Sequence, residues 1–505
     1  MVKDKDKDHF QSLIPSKSFT THSSLQVWDF VSAPDLHPMK VRINVNKPGA
    51  APGFIFVAPY TTFEASMIGQ TGSLIMDQAG NPVWFRPLDN RFIQNTDFKV
   101  QCYKRKPVLT MWQGTISGTQ MATPILPQGT PEPGAFYLII DQHYEVIKKI
   151  KAKKGYIADL HEFIITQRNT ALFTAVKQVP ADLTTFGGPK DGYINNYSIQ
   201  EVDIKTGELL FYWNTLTHVN PVHSMIPASS AANMNNIWDC YHMNSVEEGP
   251  NNTLLVSMRN MSALYHIDKK TGKVLWQLGG KKSDFTFGPN ASFSWQHDAR
   301  YLSKNRISIF DNSCCASPTS PPQGQARGLI LTLDFEKAIA TVDRTYYHDP
   351  ALIVPTQGNL QTLFNKNRFV GWGQEPYLSE FSSAGNTVKD PSRNFLYDMQ
   401  FPNQNISYRS YKNRWVGIPL DHPSLAVKVL RKDAVVYVSW NGSTETVAWE
   451  VLAGPKPNKL SVLVKSTPRT GFETEIHVDS VGPYFQVHAL NSALKVIGTS
   501  RIIKA

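Results

Sequence analysis

Short runs of alternating hydrophobic and polar positions recur along this chain about every sixty-four residues. Each copy is marked by a turn related to Asp-x-x-x-Gly-x-Val, which is complete in DKKTGKVLW (268–276) and one residue shorter before the glycine in DQAGNPVW (77–84). Equivalent points of five turns lie 64, 63, 65 and 65 residues apart, and a looser sixth follows after 48: Gly80, Tyr144, Gly207, Gly272, Lys337 and Gly385. The chain therefore contains five or six copies of one structural unit.

Each unit consists of short apolar runs separated by polar turns, for example HEFIIT, QRN and TALFTAV in 161–176. This pattern predicts a four-stranded antiparallel meander. A single meander cannot bury its apolar face, so repeats of this length pack radially as propeller blades, with the first strand of each nearest the axis. We predict an all-β fold in which residues 31–404 form a β-propeller of five or six blades around a central funnel. A stack of β-sandwich domains is the alternative, although sandwiches do not require so constant a period.

The pattern changes after about residue 405. Seven short apolar runs follow, from AVKVLRK to LKVIGTS, with turns between them. Seven strands are typical of an immunoglobulin-like or fibronectin-like sandwich, so residues 405–505 are predicted to form a small C-terminal β-sandwich. Trp415, Trp440 and Trp449 are expected in its core or at its seam with the propeller. Residues 1–30 are predicted to be an N-terminal extension.

The formal net charge of +10 is spread along the chain. The sequence has no basic amphipathic helix, zinc-finger spacing or RNA-binding aromatic signature, which argues against a nucleic-acid partner. No stretch reaches the roughly 18 apolar residues that a membrane-spanning helix needs. A mild positive field favours attraction of small anions, and neither a metal nor another cofactor is predicted.

The N-terminal sequence MVKDKDKDHF lacks the apolar core of a secretory signal. Two localisations stay open: secretion or the secretory-pathway lumen if a signal has been removed, and the cytoplasm otherwise. The six Asn-x-Ser/Thr sites fit a secreted glycoprotein but are close to the number expected by chance. They are Asn196, Asn251, Asn260, Asn290, Asn405 and Asn441.

Four cysteines allow three disulfide pairings. Cys314 and Cys315 are adjacent and are not expected to form an ordinary unstrained bridge with each other. One or two disulfides in an oxidising compartment are therefore favoured, and the pairing among these two cysteines, Cys102 and Cys240 stays open. Four buried free thiols are the alternative.

Three histidines fall at the same place within the repeat: His161 (DLHEF), His242 (CYHMNSV) and His297 (WQHDA). Each stands at the predicted opening of the first strand of a blade, so the three are expected to converge at one rim of the channel. The next strands of the blades end on polar side chains in nearly the same register, namely Gln113, Lys177, Arg259, Asn312 and Gln374. Because strand residues alternate faces, Arg259 is expected to point into the funnel and Asn260 away from it.

A funnel lined by three imidazoles and a guanidinium suits a tetrahedral oxyanion. Arginine offers a planar fork of donors that matches sulfate or phosphate, and histidine acts as nucleophile, acid or base near neutral pH. For any one histidine alone, a buried hydrogen-bonding strut is the alternative interpretation. The three together with Arg259 favour a functional site.

The runs DCYHMNSVEEGPNNTLLVSMRNMSALYHIDKKTGKVLWQLGG (239–280) and FSWQHDAR (293–300) resemble the arylsulfotransferase family, in particular its fungal branch. YVSWNGSTETVAWEVLAG (437–454) and GFETEI (471–476) are similar to the tail of the same branch. The resemblance implies a six-bladed propeller. It also implies transfer of sulfuryl groups from a phenolic ester to another phenol without a nucleotide sulfate donor.

Residue roles follow from the same resemblance. His297 would be the nucleophile that becomes sulfated, while His242 and Arg259, with Asn244 beside them, would bind the sulfuryl oxygens. His161 would complete the cradle, and either His242 or His161 would protonate the leaving phenolate. The nearby aromatic residues are expected either to sandwich an aryl ring or to fill the blade cores: Trp112, Trp238, Tyr241 and Trp295.

Two other functions stay open. The first is a cyclase or pericyclase of secondary metabolism, in which pocket shape rather than His297 would carry the reaction. A non-catalytic binding module is the second alternative, because a fold does not determine a function. In the enzymatic interpretations the expected partner is a small aromatic molecule, a phenol or an aryl sulfate.

Overall fold

The computed structural model describes residues 26–61, 67–88, 93–116, 134–315, 324–402, 404–480 and 482–505. Within them the chain forms strands connected by turns and a few short 3-10 helices, so the predicted all-β class is confirmed. The helices are Thr184–Phe186, Pro221–His223, Ala228–Asn233, Arg259–Met261 and Gly280–Lys282. No helix in the described ranges is long and apolar enough to cross a membrane.

The first twenty-seven strands, in chain order, are β1 Arg42–Asn46, β2 Phe54–Val57, β3 Gly72–Met76, β4 Pro82–Pro87, β5 Ile93–Tyr103, β6 Lys106–Thr115, β7 Phe136–Ile140, β8 Val146–Ile150, β9 Ile157–Ile165, β10 Thr170–Ala181, β11 Gly192–Asp203, β12 Leu209–Asn214, β13 Ile237–Trp238, β14 Met243–Gly249, β15 Thr253–Met258, β16 Ala263–Asp268, β17 Val274–Gly279, β18 Thr286–Phe287, β19 His297–Ser303, β20 Arg306–Asp311, β21 Arg327–Asp334, β22 Ile339–Tyr347, β23 Asn359–Thr362, β24 Arg368–Gly371, β25 Tyr377–Phe381, β26 Phe395–Gln400 and β27 Tyr411–Asn413. The remaining strands are β28 Ser424–Val429, β29 Ala434–Ser439, β30 Ala448–Gly454, β31 Ser461–Pro468, β32 Glu473–Val478, β33 Tyr484–Leu490, β34 Val496–Thr499 and β35 Ile503–Lys504.

The first twenty-seven strands form six sheets, each built on a four-stranded antiparallel order. Sheet 1 is β27-β2-β3-β4, sheet 2 is β5 to β8 and sheet 3 is β9 to β12 with β13 added. Sheet 4 is β14 to β17, sheet 5 is β19 to β22 with β18 added, and sheet 6 is β23 to β26 with β1 added. Sheets 1 and 6 therefore each contain strands from both ends of this part of the chain.

The turns that marked the sequence repeat join the third and fourth strands of successive sheets. In the first five turns the leading aspartate accepts backbone N–H groups from residues two to four positions ahead: Asp77, Asp141, Asp203, Asp268 and Asp334. The equivalent points have positive φ at Gly80, Tyr144, Gly207, Gly272 and Gly385, while in the fifth turn Ala338 rather than Lys337 takes that conformation. Each turn thus needs one residue with left-handed backbone conformation. Glycine adopts this conformation most readily, which explains why it recurs at this position of the repeat.

Six hydrophobic cores lie between neighbouring sheets. One core packs Phe56 of sheet 1 against Phe98 of sheet 2, and the others lie between sheets 2 and 3, 3 and 4, 4 and 5, 5 and 6, and 6 and 1. The first strands of neighbouring sheets contact each other in the same order. Between sheets 6 and 1, Gln361 donates to the Lys412 carbonyl at 3.0 Å and accepts from its N–H at 2.8 Å.

Charged side chains are buried where the first strands meet. Arg409, which precedes β27, is fully buried. It donates to Asp97 Oδ1 of β5 at 3.0 Å, to Glu162 Oε1 of β9 at 3.2 Å and to the Asn244 carbonyl of β14 at 2.9 Å. This one guanidinium thus connects strands of four sheets.

Further ion pairs extend the contacts of Arg409. Lys99 donates to Asp97 at 2.7 Å and to Glu162 at 3.0 Å, and Arg300 donates to Glu162 at 2.5 Å and to Asp298 at 2.6 Å. Asp298 also accepts the Leu360 N–H of β23 at 3.0 Å, which brings in sheet 6. We call the six charged residues the axial ion cluster: Asp97, Lys99, Glu162, Asp298, Arg300 and Arg409. Three acids face three bases, and Arg300 and Arg409 hold the pKa of Glu162 well below its ordinary value against the effect of burial.

The last eight strands form two further sheets with a separate core. Sheet 7 is β28-β29-β32, and sheet 8 is β31-β30-β33-β34 with β35 added. Trp440 and Trp449 lie in the core between them, whereas Trp415 packs with Trp84 between sheets 1 and 2. Residues 411–413 were assigned from sequence to the C-terminal region, but they form β27 and pair with β2 of sheet 1.

Replacing Arg409 by Met should destabilise the protein strongly, because it leaves Asp97 and Glu162 buried with less compensation. Breaking a buried ion pair typically costs about 3–5 kcal/mol. Urea unfolding followed by tryptophan fluorescence measures the change, with Arg431→Met at an exposed position as the control. Equal midpoints for the two variants would contradict a stabilising role for the axial ion cluster.

Candidate active site

The three repeat histidines come together next to the axial ion cluster. His161 lies within β9, His242 immediately precedes β14 and His297 begins β19, and all three are buried. The rings of His161 and His242 meet edge to face with centroids 4.9 Å apart. His297 is close enough that protonation of either of the other two disfavours its own protonation.

Irregular pairing in the first strands accompanies this convergence. The ladder register shifts between Ala158 and Phe163 in β9, between Met243 and Ser245 in β14, and after His297 in β19. His242 and Asp298 have φ values of 50° and 56° at these points. A bulge re-aims side chains that a regular strand would alternate. A bulge allows a histidine to lie in the candidate site while the acidic residue after it lies in the axial ion cluster, as in His161–Glu162 and His297–Asp298.

His161 and His242 each form a pair with an aspartate. His161 Nδ1 lies 2.8 Å from Asp159 Oδ2, and His242 Nδ1 lies 2.6 Å from Asp239 Oδ2. Since a carboxylate only accepts, each Nδ1 carries a proton and each neutral ring keeps its lone pair on Nε2. Thr174 donates to the same Asp159 oxygen at 2.8 Å. The aspartates thus orient both imidazoles, although sequence reasoning did not identify them as site residues.

His242 is neutral at pH 7. Burial and the nearby positive charge of Arg259 lower its pKa to about 4, and the attraction of Asp239 offsets only part of this effect. Asp239 is itself buried, and His242 and Arg259 hold the pKa of its carboxyl group below the ordinary value despite that burial.

His297 differs from the other two because its partner is neutral. Its Nδ1 lies 2.7 Å from Asn312 Oδ1, and its Nε2 accepts the backbone N–H of Gln357 at 3.2 Å. Burial and then the charge of Arg259 hold the pKa of His297 well below the ordinary value for histidine. His297 is therefore an unprotonated imidazole at neutral pH, which is the form that can act as a nucleophile.

Arg259 supplies the positive charge of the site. Its guanidinium lies 5.1 Å from the ring centre of Trp295, and its Nε donates to Asn260 Oδ1 at 3.0 Å. Within the described ranges no acid or carbonyl pairs with its two terminal nitrogens. A guanidinium with two free donor groups beside three imidazoles is suited to a tetrahedral oxyanion.

The predicted orientation of Asn260 is wrong. Asn260 is buried, holds Arg259 and donates to the Asp239 carbonyl, because the chain turns into a 3-10 helix at Arg259 instead of continuing as a strand. Asn196 and Asn405 are also buried, so the folded chain does not expose these three sequons. Asn251 and Asn290 are exposed.

Several buried polar atoms around the histidines have no hydrogen-bond partner within the described ranges. They are Asp159 Oδ1, Asn244 Oδ1, Trp295 Nε1 and Tyr408 Oη. Asn244 donates to the Gln296 carbonyl at 2.8 Å. The ring of Tyr408 meets His161 edge to face at 5.3 Å, a neighbour that sequence reasoning missed. Unsatisfied polar groups in a buried site are candidates for contacts with a bound molecule or water.

Three of the four aromatic candidates lie in hydrophobic cores. Trp112 lies between sheets 2 and 3 and donates to the Ala158 carbonyl, while Trp238 and Tyr241 lie between sheets 3 and 4 and donate to the carbonyls of Ile226 and Val219. Packing accounts for all three, and their contact with a substrate stays a prediction. Trp295 alone contacts a charged site residue, Arg259.

Of the polar residues expected at the ends of the second strands, Asn312 and Arg259 contact or flank the histidines. Gln113 instead accepts from Arg86, Lys177 is exposed and Gln374 bonds to Thr356. A shared position in the repeat therefore did not determine which of these side chains lie at the site. The second strands differ in length, so equivalent positions lie at different distances from the histidines.

The cysteines differ from the expected arrangement. Cys314 and Cys315 are joined to each other, two positions after Asn312, whereas Cys102 is an exposed thiol and Cys240 a buried one. The described ranges therefore contain one disulfide, in line with the one or two favoured from the sequence, but it joins the adjacent pair, for which no ordinary unstrained bridge was expected. No group of three or more His, Cys, Asp or Glu side chains in the described ranges could hold a metal ion.

Comparison with known proteins identifies one family. The model for the arylsulfotransferase (ASST) family matches residues 136–393, which include His161, His242, Arg259 and His297. That span is 258 of the 505 residues. No curated protein sequence matches the chain.

Similar solved structures are distant. A protein of unknown function from Bacteroides caccae aligns with a TM-score of 0.40 and 13% identity over 72% of this chain and 100% of that one. The β-propeller domain of Cps50 (Swd1) from Myceliophteria thermophila aligns with a TM-score of 0.31 and 8% identity over 80% and 95%. The periplasmic gluconolactonase PpgL from Pseudomonas aeruginosa aligns with a TM-score of 0.26 and 9% identity over 90% and 97%.

Replacing Arg259 by Met should weaken binding of an aryl sulfate to this site. Hydrogen bonds to a charged group contribute about 1.5–3 kcal/mol, so Kd should rise at least about tenfold. Titration calorimetry with 4-nitrophenyl sulfate on a His297→Ala background measures this without turnover. Lys177→Met removes an exposed cation at the corresponding position of another sheet and should leave Kd unchanged; equal losses would show that net charge alone attracts the anion.

Proposed function

Because the chain belongs to the arylsulfotransferase (ASST) family, we propose that it moves a sulfuryl group from an aryl sulfate ester to a phenolic acceptor. In this proposal the group is carried on His297 between donor and acceptor, without a nucleotide sulfate donor. The observation that carries the proposal is the convergence of three buried imidazoles with one guanidinium whose terminal nitrogens have no acidic partner in the described ranges.

We also propose that sheets 1 to 6 are the blades of one propeller with the site at its axis. The six cores between neighbouring sheets and the sequential contacts of first strands support this interpretation. Strands drawn from both chain ends close sheets 1 and 6, as a ring requires. Sheets 7 and 8, with their own core, are consistent with an immunoglobulin-like sandwich.

In the first proposed step the lone pair on His297 Nε2 attacks the sulfur of the aryl sulfate. An S–N bond forms as the S–O bond to the aryl group breaks, and the phenolate leaves with that electron pair. Nε2 must first release the Gln357 N–H, which costs one long hydrogen bond of about 1 kcal/mol. Because His297 is neutral, no proton has to be removed before attack.

In the second step a phenol takes the place of the departed phenolate and attacks the sulfur from that side, opposite the S–N bond to His297. Its proton passes to a nearby imidazole, the new S–O bond forms and the S–N bond returns its electrons to Nε2. In the first step the leaving phenolate takes its proton from an imidazole that starts the cycle protonated at Nε2, and the acceptor's proton restores that imidazole in the second, so charge and protons balance over the two steps.

We assign the proton transfers to His161. His161 and His242 are both oriented by an aspartate at Nδ1, which leaves Nε2 for proton transfer. With a pKa of about 4, however, His242 is almost entirely neutral at pH 7 and has no proton on Nε2 to donate. Asp159 accepts from Nδ1 of His161, which leaves Nε2 as the nitrogen that would exchange the proton. His242 would instead meet the sulfuryl oxygens, where the negative charge of a bound ester raises its tendency to hold a proton.

Arg259 fits the charge distribution of the proposed transition state. Sulfuryl transfer passes through a planar, SO3-like arrangement in which charge lies on three equatorial oxygens, so positioning and charge neutralisation dominate catalysis. The terminal nitrogens of Arg259 can donate to these oxygens while its Nε stays bound to Asn260. Trp295 supports the guanidinium from one face.

His297→Ala should abolish acceptor-dependent release of 4-nitrophenol from 4-nitrophenyl sulfate, because the group that carries the sulfuryl is missing. Absorbance of nitrophenolate with and without a panel of phenols measures the reaction. His348→Ala removes another buried histidine, which bonds to Asp398 of β26 and to the Pro350 carbonyl, and should retain activity.

Mass spectrometry supplies a second measurement for His297. Rapid acid-free quenching of wild type with donor alone should show the mass of one sulfuryl group on the peptide containing His297. Nitrophenol release that persists in His297→Ala, or a label on another residue, would contradict the proposed carrier.

His161→Gln should slow transfer from donors with poor leaving groups more than transfer from good ones. General acid catalysis contributes about 10²–10⁴-fold, and it matters least when the departing phenolate is already stable, as for nitrophenolate. The ratio of kcat values for phenyl sulfate and 4-nitrophenyl sulfate should therefore fall in His161→Gln and not in His242→Gln. The same ratio in both variants would contradict the assignment of the acid to His161.

A further inference from the structure

Asn312 makes three hydrogen bonds that determine the direction of its amide. It follows β20 directly and is fully buried. Nδ2 lies 3.0 Å from the carbonyl oxygens of both Val354 and Gln357, and Oδ1 lies 2.7 Å from His297 Nδ1. Carbonyl oxygens accept and cannot donate, so the atom that faces them must be the NH2 group.

The tautomer of His297 follows from this direction. Because Oδ1 of Asn312 only accepts, Nδ1 of His297 must carry the proton. An independent contact gives the same answer, since the backbone N–H of Gln357 only donates and therefore requires a lone pair on Nε2. Both ring nitrogens of His297 are thus specified by groups whose roles cannot be exchanged.

We propose that Asn312 is a positioning residue that holds His297 as the Nδ1–H tautomer and so keeps the reactive lone pair on Nε2. The inference deepens the proposed function, on which it rests for the use of that lone pair. No resemblance in the sequence assigned Asn312 this role.

The choice of an amide rather than a carboxylate separates His297 from the other two histidines. Asp159 and Asp239 orient His161 and His242 with groups that also stabilise an imidazolium. Asn312 orients His297 equally well but carries no charge. A nucleophile needs the unprotonated ring, whereas proton transfer needs a ring that can take up a proton, so the partners match the different roles.

The charged neighbours of His297 act in the same direction as this choice. Arg259 disfavours its protonation, and so do His161 and His242 when they are protonated. A carboxylate at position 312 would oppose all three. Asn312→Asp should therefore raise the pKa of His297 while leaving the proton on Nδ1, since a carboxylate also only accepts. Asn312→Leu should remove the acceptor for the Nδ1 proton, so that His297 can also adopt the tautomer with its proton on Nε2.

Nitrogen-15 spectra of histidine-labelled protein test the tautomer directly. The His297 signals are assigned by their loss in His297→Asn. Wild type should show a protonated Nδ1 and an unprotonated Nε2 from pH 5 to pH 8. Asn312→Asp should keep that pattern at pH 8 and titrate at higher pH than wild type by about one unit or more. Asn312→Leu should show a substantial Nε2–H population.

Asn386→Asp is the matched control. Asn386 is also a buried amide strut that accepts the Tyr347 N–H and donates to the Tyr347 carbonyl, on the outer side of sheet 6. It should leave the His297 spectrum unchanged. If Asn312→Leu does not fold, Asn312→Asp, which keeps the size of the side chain, still tests the inference through its titration.

Activity provides the second measurement. The acidic limb of the kcat/KM profile for 4-nitrophenyl sulfate should move to higher pH in Asn312→Asp, and kcat should fall at least about tenfold in Asn312→Leu, because a catalytic histidine held in the wrong tautomer loses activity. A protonated Nε2 in wild type, or an unchanged His297 spectrum in both Asn312 variants, would overturn the inference. The expected spectra in a protein that transfers no sulfuryl group would instead support the tautomer and contradict the proposed function.

Discussion

The axial ion cluster is the constraint on which the remaining structure depends. Arg409 binds Asp97, Glu162 and the carbonyl of Asn244, so a single buried cation ties together strands of sheets 1, 2, 3 and 4. Buried charges are costly unless each is paired, and six charges in balance can be satisfied only when the sheets approach the axis in one register. Two of its acids directly follow His161 and His297 in sequence. The geometry of the candidate site is therefore linked to the way in which these strands pack against one another.

Burial and charge together distinguish the three histidines. All three are buried, and for His242 and His297 burial and the charge of Arg259 lower the pKa. Their partners then differ: aspartates for His161 and His242, an amide for His297. The same ring type thus acquires different acid–base behaviour from its surroundings, which is how one site can hold both a nucleophile and a proton-transfer group.

Local patterns in the sequence predicted the repeat, its turns and the three histidines, because each depends on residues near in sequence. The recurring glycine reflects a left-handed turn residue, as at Gly207 and Gly272. The predictions were weaker where a bulge or a packing choice decided the direction of a side chain. Asn260 turned inward with Arg259, and Trp112, Trp238 and Tyr241 occupy cores between sheets although they lie close in sequence to the site. Nothing local to Tyr408 indicated that it meets His161, since the two are far apart along the chain.

The sequence alone determined the all-β class, the spacing of the units, the candidate residues for the site and the family they resemble. These properties depend on alternation, turn preference and residue type, which are local. The tertiary structure decided which side chains meet: Asn312 with His297, Asp159 with His161 and Arg409 with acids on other sheets. Such contacts join residues brought together by sheet packing and strand bulges, so their partners, protonation and direction exist only once the chain has folded around the axis.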